Sequence, residues 1–294
     1  MKIVFKDTED VVKDLEKKYQ QADICRAKKF FIRRFRLYGF LVYSEILGKK
    51  PPMTFEIRLV NDVEHEGLVL GGCFDAANSR KNRLFFTIYK NTFELAIRTP
   101  YSRKASCVVL HEMLHAADCP ALKTYHQIQE EFIDNMNGDH PDSDEIIFDR
   151  LNLLIALRTL NQYRAEGVAL LGEHLLTFEM FDKCISTERA FEKCRQQLET
   201  TRQTIQNISE KRDEMSGDIV YDDSFLQCDG ADNVMLKVLA KKGIVDEVLI
   251  QKALNGVETG HFDLTNEEAF LIIRAALSIR LEEYVCFMKQ LLMR

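Results

Sequence analysis

The sequence predicts a helix-rich α+β protein in which a small mixed sheet leads into a central apolar helix and a helical C-terminal part. Three observations predict it. Period-two apolar alternation is confined to residues 54–89, helical apolar spacing occurs on both sides of that segment, and 46% of the 294 residues are hydrophobic, enough for a substantial core. The chain divides into residues 1–120, with N-terminal helices, sheet and central helix, and residues 121–294, a helical subdomain.

From Thr8 to Leu47, Val11, Val12, Leu15, Tyr19, Ile24, Phe30, Phe31 and Phe35 recur at helical spacing, which predicts one or two long helices. Arg26, Lys28, Lys29, Arg33, Arg34 and Arg36 interleave with the aromatics. Such a face suits a nucleic-acid or membrane surface, or is a solvated basic face over packing aromatics. Lys49-Lys50-Pro51-Pro52 breaks the pattern. Thr54–Val60 then alternates as a strand, and Leu68–Phe74 and Arg83–Tyr89 follow, separated by a polar turn over Asp75–Asn82. Gly71-Gly72 marks a bulge or a close backbone approach.

The central helix is opened by Thr99-Pro100 and closed by Cys119-Pro120. A polar segment, Lys123 to Asp144, reads as a loop with a short helix. Ile146 to about Phe181 is one long helix or two, and Ser186–Met215 a polar, solvent-exposed helix. Gly217–Asp232 is a break. Three further helices follow, the clearest opened by a capping box with Thr265 as cap and Glu268 three residues on.

His111-Glu112-Met113-Leu114-His115 lies within the central helix. Residues four apart share a helical face, so both imidazoles reach one metal ion, while Glu112 projects about 100° away, beside the ion's open position. Zn²⁺ suits this geometry: a catalytic site stops at three protein ligands, and a nearby carboxylate serves as general base. The alternative is a pair of core histidines hydrogen-bonded to neighbours.

Two histidines require a third donor. Ala121 stands where a third histidine six residues past His115 would be. His126 and His140 follow in the loop. Asp118 is placed to support an imidazole from outside the ligand set. Glu166 is a carboxylate in an apolar helical stretch, with Gly167 beside it where two helices approach; it is a metal ligand or an ion-pair partner of Arg164. Cys119 reads as a packing residue.

The combination of His111, Glu112, His115 and Glu166 resembles the gluzincin type of zincin metallopeptidase, in which H-E-x-x-H is completed by a Glu on a second helix. The resemblance spans residues 54–175. It implies a zincin-like sheet with its active-site helix, one Zn²⁺ on His111, His115 and Glu166, Glu112 as general base, and a peptide or protein substrate. It also implies an edge strand at Leu70-Gly71-Gly72-Cys73 that holds extended peptide by backbone hydrogen bonds. An oxyanion-stabilising Tyr or His is expected beyond the third ligand, for which Tyr221, His174 and His261 are available; Tyr163 joins Asp118 among the supporting candidates. A second likeness, to SprT-like DNA-associated metalloproteases, would use His126 or His140 instead of Glu166. The competing class is a non-catalytic interaction protein on a zincin scaffold.

Composition narrows the partners. A net charge of −6 argues against general nucleic-acid binding and leaves room for a local basic patch. Eight scattered cysteines without a C-x-x-C pair read as reduced thiols. No apolar run approaches a membrane span, and the first residues lack a signal-peptide core, so a cytoplasmic location without membrane partners is expected.

Overall fold

The computed structural model describes residues 1–62, 64–65, 68–69, 71–118, 144–177, 186–210, 228 and 230–292. They form a helix-rich α+β structure with a four-stranded mixed sheet. Strand β1 (Lys2–Asp7) is followed by α1 (Glu9–Lys18) and α2 (Gln21–Phe40), which runs on into a π-helical turn at Leu41–Ile46. Next come β2 (Thr54–Val60), the short β3 (Glu64–His65) and β4 (Leu68–Val69), then β5 (Gly72–Arg80) and β6 (Arg83–Tyr89). Helices α3 (Lys90–Arg98) and α4 (Arg103–Ala117) complete the N-terminal part. Six helices follow: α5 (Asp144–Thr177), α6 (Thr187–Glu210), α7 (Ala231–Lys242), α8 (Glu247–Thr259), α9 (Asn266–Ala276) and α10 (Leu281–Leu292).

The main sheet has the order β1-β2-β6-β5, parallel except for β5, which runs antiparallel to β6. Strand alternation puts Phe55, Ile57 and Leu59 of β2 and Leu84, Phe86 and Ile88 of β6 into the core. Phe86 is its centre: the rings of Phe35, Phe55 and Phe74 lie 4.8, 5.6 and 5.4 Å from it, tilted or edge-on. Phe31 stacks on Phe93 at 5.6 Å and ties α2 to α3. One hydrophobic cluster runs from Val11 to Met288 and draws on both segments of the chain.

Several boundaries differ from the sequence expectation for local reasons. The edge strand β1 lies ahead of the first expected helix; its flanking lysines hide a strand that only pairing with β2 makes stable. The polar stretch from Asp75 to Arg80 is strand rather than turn. It contains a register shift, and Ser79 there donates to the Asp75 carbonyl (2.6 Å) and accepts from the Phe85 amide (3.0 Å). Helix α4 starts at Arg103, capped by Ser102, whose Oγ accepts from the Ala105 amide at 3.2 Å, and not at Thr99-Pro100. Helix α6 is not wholly solvent-exposed: Ala190 and Cys194 are fully buried. Four helices, not three, follow Gly230, and the Thr265–Glu268 capping box opens α9. Cys119, Pro120 and the loop up to residue 143 lie outside the described residues.

Helix α5 is continuous over 34 residues, about 51 Å at helical rise, and packs on both α4 and α7. Glycines permit both contacts. A Cβ on Gly172 would lie 2.5 Å from Leu114 Cδ1 of α4, and one on Gly167 would lie 2.6 Å from the Ala231 carbonyl oxygen of α7. Two buried polar pairs fix the register. Arg164, fully buried on α5, donates to Asp118 at the end of α4 through both terminal nitrogens (3.1 and 2.5 Å) and to the Ile279 carbonyl at 3.3 Å. His174 Nδ1 lies 2.9 Å from Asp232 Oδ2 of α7.

Removing one partner of a buried pair strands the other charge without water. Arg164→Ala is therefore expected to lower unfolding free energy by about 3–5 kcal/mol, read from the urea midpoint. Gly167→Ala gains about 1 kcal/mol of helix propensity but pushes a methyl into the rigid backbone of α7. A net loss of about 1–3 kcal/mol is expected, and an unchanged or raised midpoint would contradict this contact.

Candidate metal centre

The metal-ligand motif lies in the second half of α4, where Val109, Leu110, Met113 and Leu114 are buried and fix the helix's rotation. That rotation turns His111 and His115 toward α5, with their side chains 18% and 13% exposed. From α5, Glu166 comes down between them. His111 Nε2 lies 3.3 Å from Glu166 Oε2, His115 Nε2 lies 3.4 Å from Glu166 Oε1, and the two Nε2 atoms are 3.1 Å apart. Among the described residues this is the one group of His, Cys, Asp and Glu side chains that converges as a metal site.

These separations fit a cation. Four ligands about 2.05 Å from a tetrahedral ion stand about 3.35 Å from one another. The protonation chemistry agrees. His111 Nδ1 lies 3.3 Å from Glu173 Oε2, a carboxylate that accepts its N–H and, whenever the ring is neutral as a metal ligand must be, leaves the lone pair on Nε2. The His111 lone pair and the Glu166 carboxylate then meet His115 Nε2 in one small space, where a single hydrogen serves at most one of them well. Burial disfavours a charged His111, but the carboxylates of Glu166 and Glu173 outweigh it and lift its pKa well above the usual value. Burial pushes Glu166 up as well, and the two imidazoles reverse this and hold it far below the ordinary carboxylate range. The site is thus organised for positive charge.

Glu112 lies outside this triad, 7% exposed. Burial raises its pKa, the two imidazoles pull the other way, and the Phe74 amide of β5 donates to its carboxylate. Gly71 and Gly72 make this strand–helix approach possible and are a close approach, not the bulge. A Cβ on Gly71 would meet Val108 Cγ2 at 2.8 Å, and one on Gly72 would meet Val108 Cγ1 at 2.9 Å and Glu112 Cγ at 3.3 Å. Cys73 follows on β5, exposed, opposite Thr87 of β6. Strand β5 is at the sheet's edge, so its outer side has no strand partner within the sheet.

The remaining expected site residues fall elsewhere. Asp118 is held by Arg164 and not by an imidazole nitrogen, and Arg164 is thereby occupied and does not pair with Glu166. Tyr163 is fully buried, near enough to Tyr284 to act on it electrostatically. His174 is committed to Asp232, and His261 is exposed in the turn between α8 and α9. Leu70, His126, His140 and Tyr221 lie outside the described residues. The carboxylate that does support an imidazole is Glu173, absent from the sequence expectation. Its signal was its spacing: seven residues past Glu166, it returns to nearly the same face of α5 after two turns.

No known protein family, curated protein or solved structure matches the chain. The geometry therefore stands alone in defining the site.

Metal analysis by plasma mass spectrometry is expected to give near one divalent ion per chain, lost on His111→Ala or Glu166→Ala. Glu173→Gln should retain it with affinity weakened by about 10–100-fold in a chelator competition. A Glu166→Ala protein that holds the ion as tightly as wild type would remove Glu166 from the ligand set.

Proposed function

We propose that this protein is a zinc-dependent metallopeptidase of the gluzincin kind, with His111, His115 and Glu166 as ligands and Glu112 as general base. The observation that carries the reading is Glu112 itself. A purely structural site closes its coordination with a fourth protein ligand and has no use for a buried free carboxylate. Here three donors meet, and a fourth side chain, acidic and desolvated, stands beside them.

Zinc, when bound at such a triad, supplies a Lewis acid that polarises a peptide carbonyl and lowers the pKa of a water to about 7. The rest falls to the chain. Glu112, with its pKa raised by burial, takes a proton from the attacking water and later delivers it to the departing amine. The Phe74 amide keeps the carboxylate aimed while it does so. Glu173 fixes the ring of His111, so that its Nε2 stays directed at the centre. An extended substrate segment pairs with the outer side of β5 around Gly71 to Cys73, which brings a backbone carbonyl past Glu112. Backbone pairing of this kind selects for unfolded or flexible chain rather than for a side chain.

Glu112→Gln preserves size and removes the base. It is expected to keep near-stoichiometric zinc and to lose turnover of an unstructured protein such as casein by at least about 100-fold, the low end for a general base. Zinc retained together with undiminished cleavage would refute the role of Glu112. A wild type that carries zinc and cleaves neither casein nor an unbiased peptide library would favour the scaffold reading.

A further inference from the structure

The basic and aromatic stretch of α2 plays no part in the metal centre. It lines a separate concave groove of about 680 Å³, between α2 from Ala22 to Leu37, Ala96 of α3 and Pro100-Tyr101 in the turn before α4. Arg26, Lys29, Arg33 and Arg34 surround it, and none of its lining residues is acidic. Arg26 is engaged by Asp23 at 2.7 Å, whereas Lys29, Arg33 and Arg34 form no ion pair among the described residues. Three cations without an ion-pair partner among the described residues line one groove and make it a local positive patch on a chain with net charge −6.

The groove is more than a charged strip. Phe30 forms part of the wall, with the Arg34 guanidinium carbon over its ring, 5.3 Å from the centroid. Across from them stands Tyr101, 74% exposed and held at φ 64°, the only non-glycine with positive φ among the described residues. An L residue in that conformation carries backbone strain of about 1 kcal/mol or more, and here the strained residue is an aromatic one that lines the groove. The volume of the groove falls in the range of about 300–1,000 Å³ typical of small-molecule sites, which favours a compact ligand over a long polyanion.

We propose that this groove binds a nucleotide, its base against the Phe30–Arg34 pair and Tyr101 and its phosphates on Lys29 and Arg33. Guanidinium and ammonium groups four residues apart, about 6 Å along the helix, match two successive phosphate groups better than a single carboxylate. Aromatic and guanidinium planes give a base its stacking faces. The site does not depend on the peptidase reading.

ADP is the probe, titrated by calorimetry without divalent metal. Saturable binding below millimolar is expected, at least tenfold weaker for adenosine and for pyrophosphate, because each lacks half of the recognition. The Lys29→Glu/Arg33→Glu double variant should lose at least tenfold, and Glu166→Ala should bind as wild type does, which separates the groove from the metal centre. Cys25 lines the groove and is exposed, so ADP should slow its alkylation by N-ethylmaleimide while exposed Cys286 reacts at an unchanged rate. No saturable binding, or no Cys25 protection, would overturn the proposal. Pyrophosphate binding as tightly as ADP would overturn it too, by showing an anion site without base recognition. Tighter binding of an oligonucleotide or of anionic vesicles, equally reversed by the double variant, would replace it with a macromolecular surface.

Discussion

Everything at the metal centre depends on how closely α5 lies against α4. Two histidines on a helix supply two ligand atoms and no more, whatever their spacing, and the third donor must come from another element. The approach is achieved by subtraction at Gly172, where a side chain would collide with Leu114, and by attraction at Arg164 and Asp118. The second contact is the more consequential. It lies two residues before Glu166 on one helix and three after His115 on the other, so it sets the lengthwise register in which carboxylate and imidazoles meet.

Charge is the second constraint. Glu112, Glu166 and Glu173 surround two imidazoles, and with neutral rings the cluster carries three negative charges in a largely desolvated space. Such a cluster is costly unless it is protonated or holds a cation. The upward shift of His111 and the downward shift of Glu166 are two expressions of the same field. Their separation from the base matters equally: Glu112 stays outside the triad because β5, through paired glycines and the Phe74 amide, occupies the space beside it and gives its carboxylate a partner of its own.

The legible parts of the site were those set by local periodicity. The i, i+4 spacing of His111 and His115 and the intervening Glu112 needed only a helix, and the apolar run around them guaranteed one. Glu166 was legible because an acid in an apolar stretch next to a glycine is expensive without a reason. Glu173 was hidden by its ordinary appearance in Leu-Gly-Glu-His, and Asp118 misled, because nearness in sequence to His115 is not nearness to its ring nitrogen. In the fold, the alternation of β2 and β6 was plain. β1 was not, since six residues that include Lys2, Lys6 and Asp7 acquire strand character only from the neighbour they pair with.

The sequence by itself determined the helices, the central strands and the identity of the motif, because these follow from spacings of two, three and four residues that the backbone converts directly into faces. Tertiary structure alone decided that Glu166 reaches both imidazoles, which acid steadies His111, and which carboxylate Arg164 holds. Those choices depend on crossings between elements separated by tens of residues: Glu166 is 51 residues beyond His115, and Asp232 is 58 beyond His174. No local rule ranks Asp118, Glu166 and Glu173 as partners for an imidazole. The packing of α4, α5 and α7 does, by bringing Glu166 to both imidazoles, Glu173 to the far side of His111 and Asp118 to Arg164.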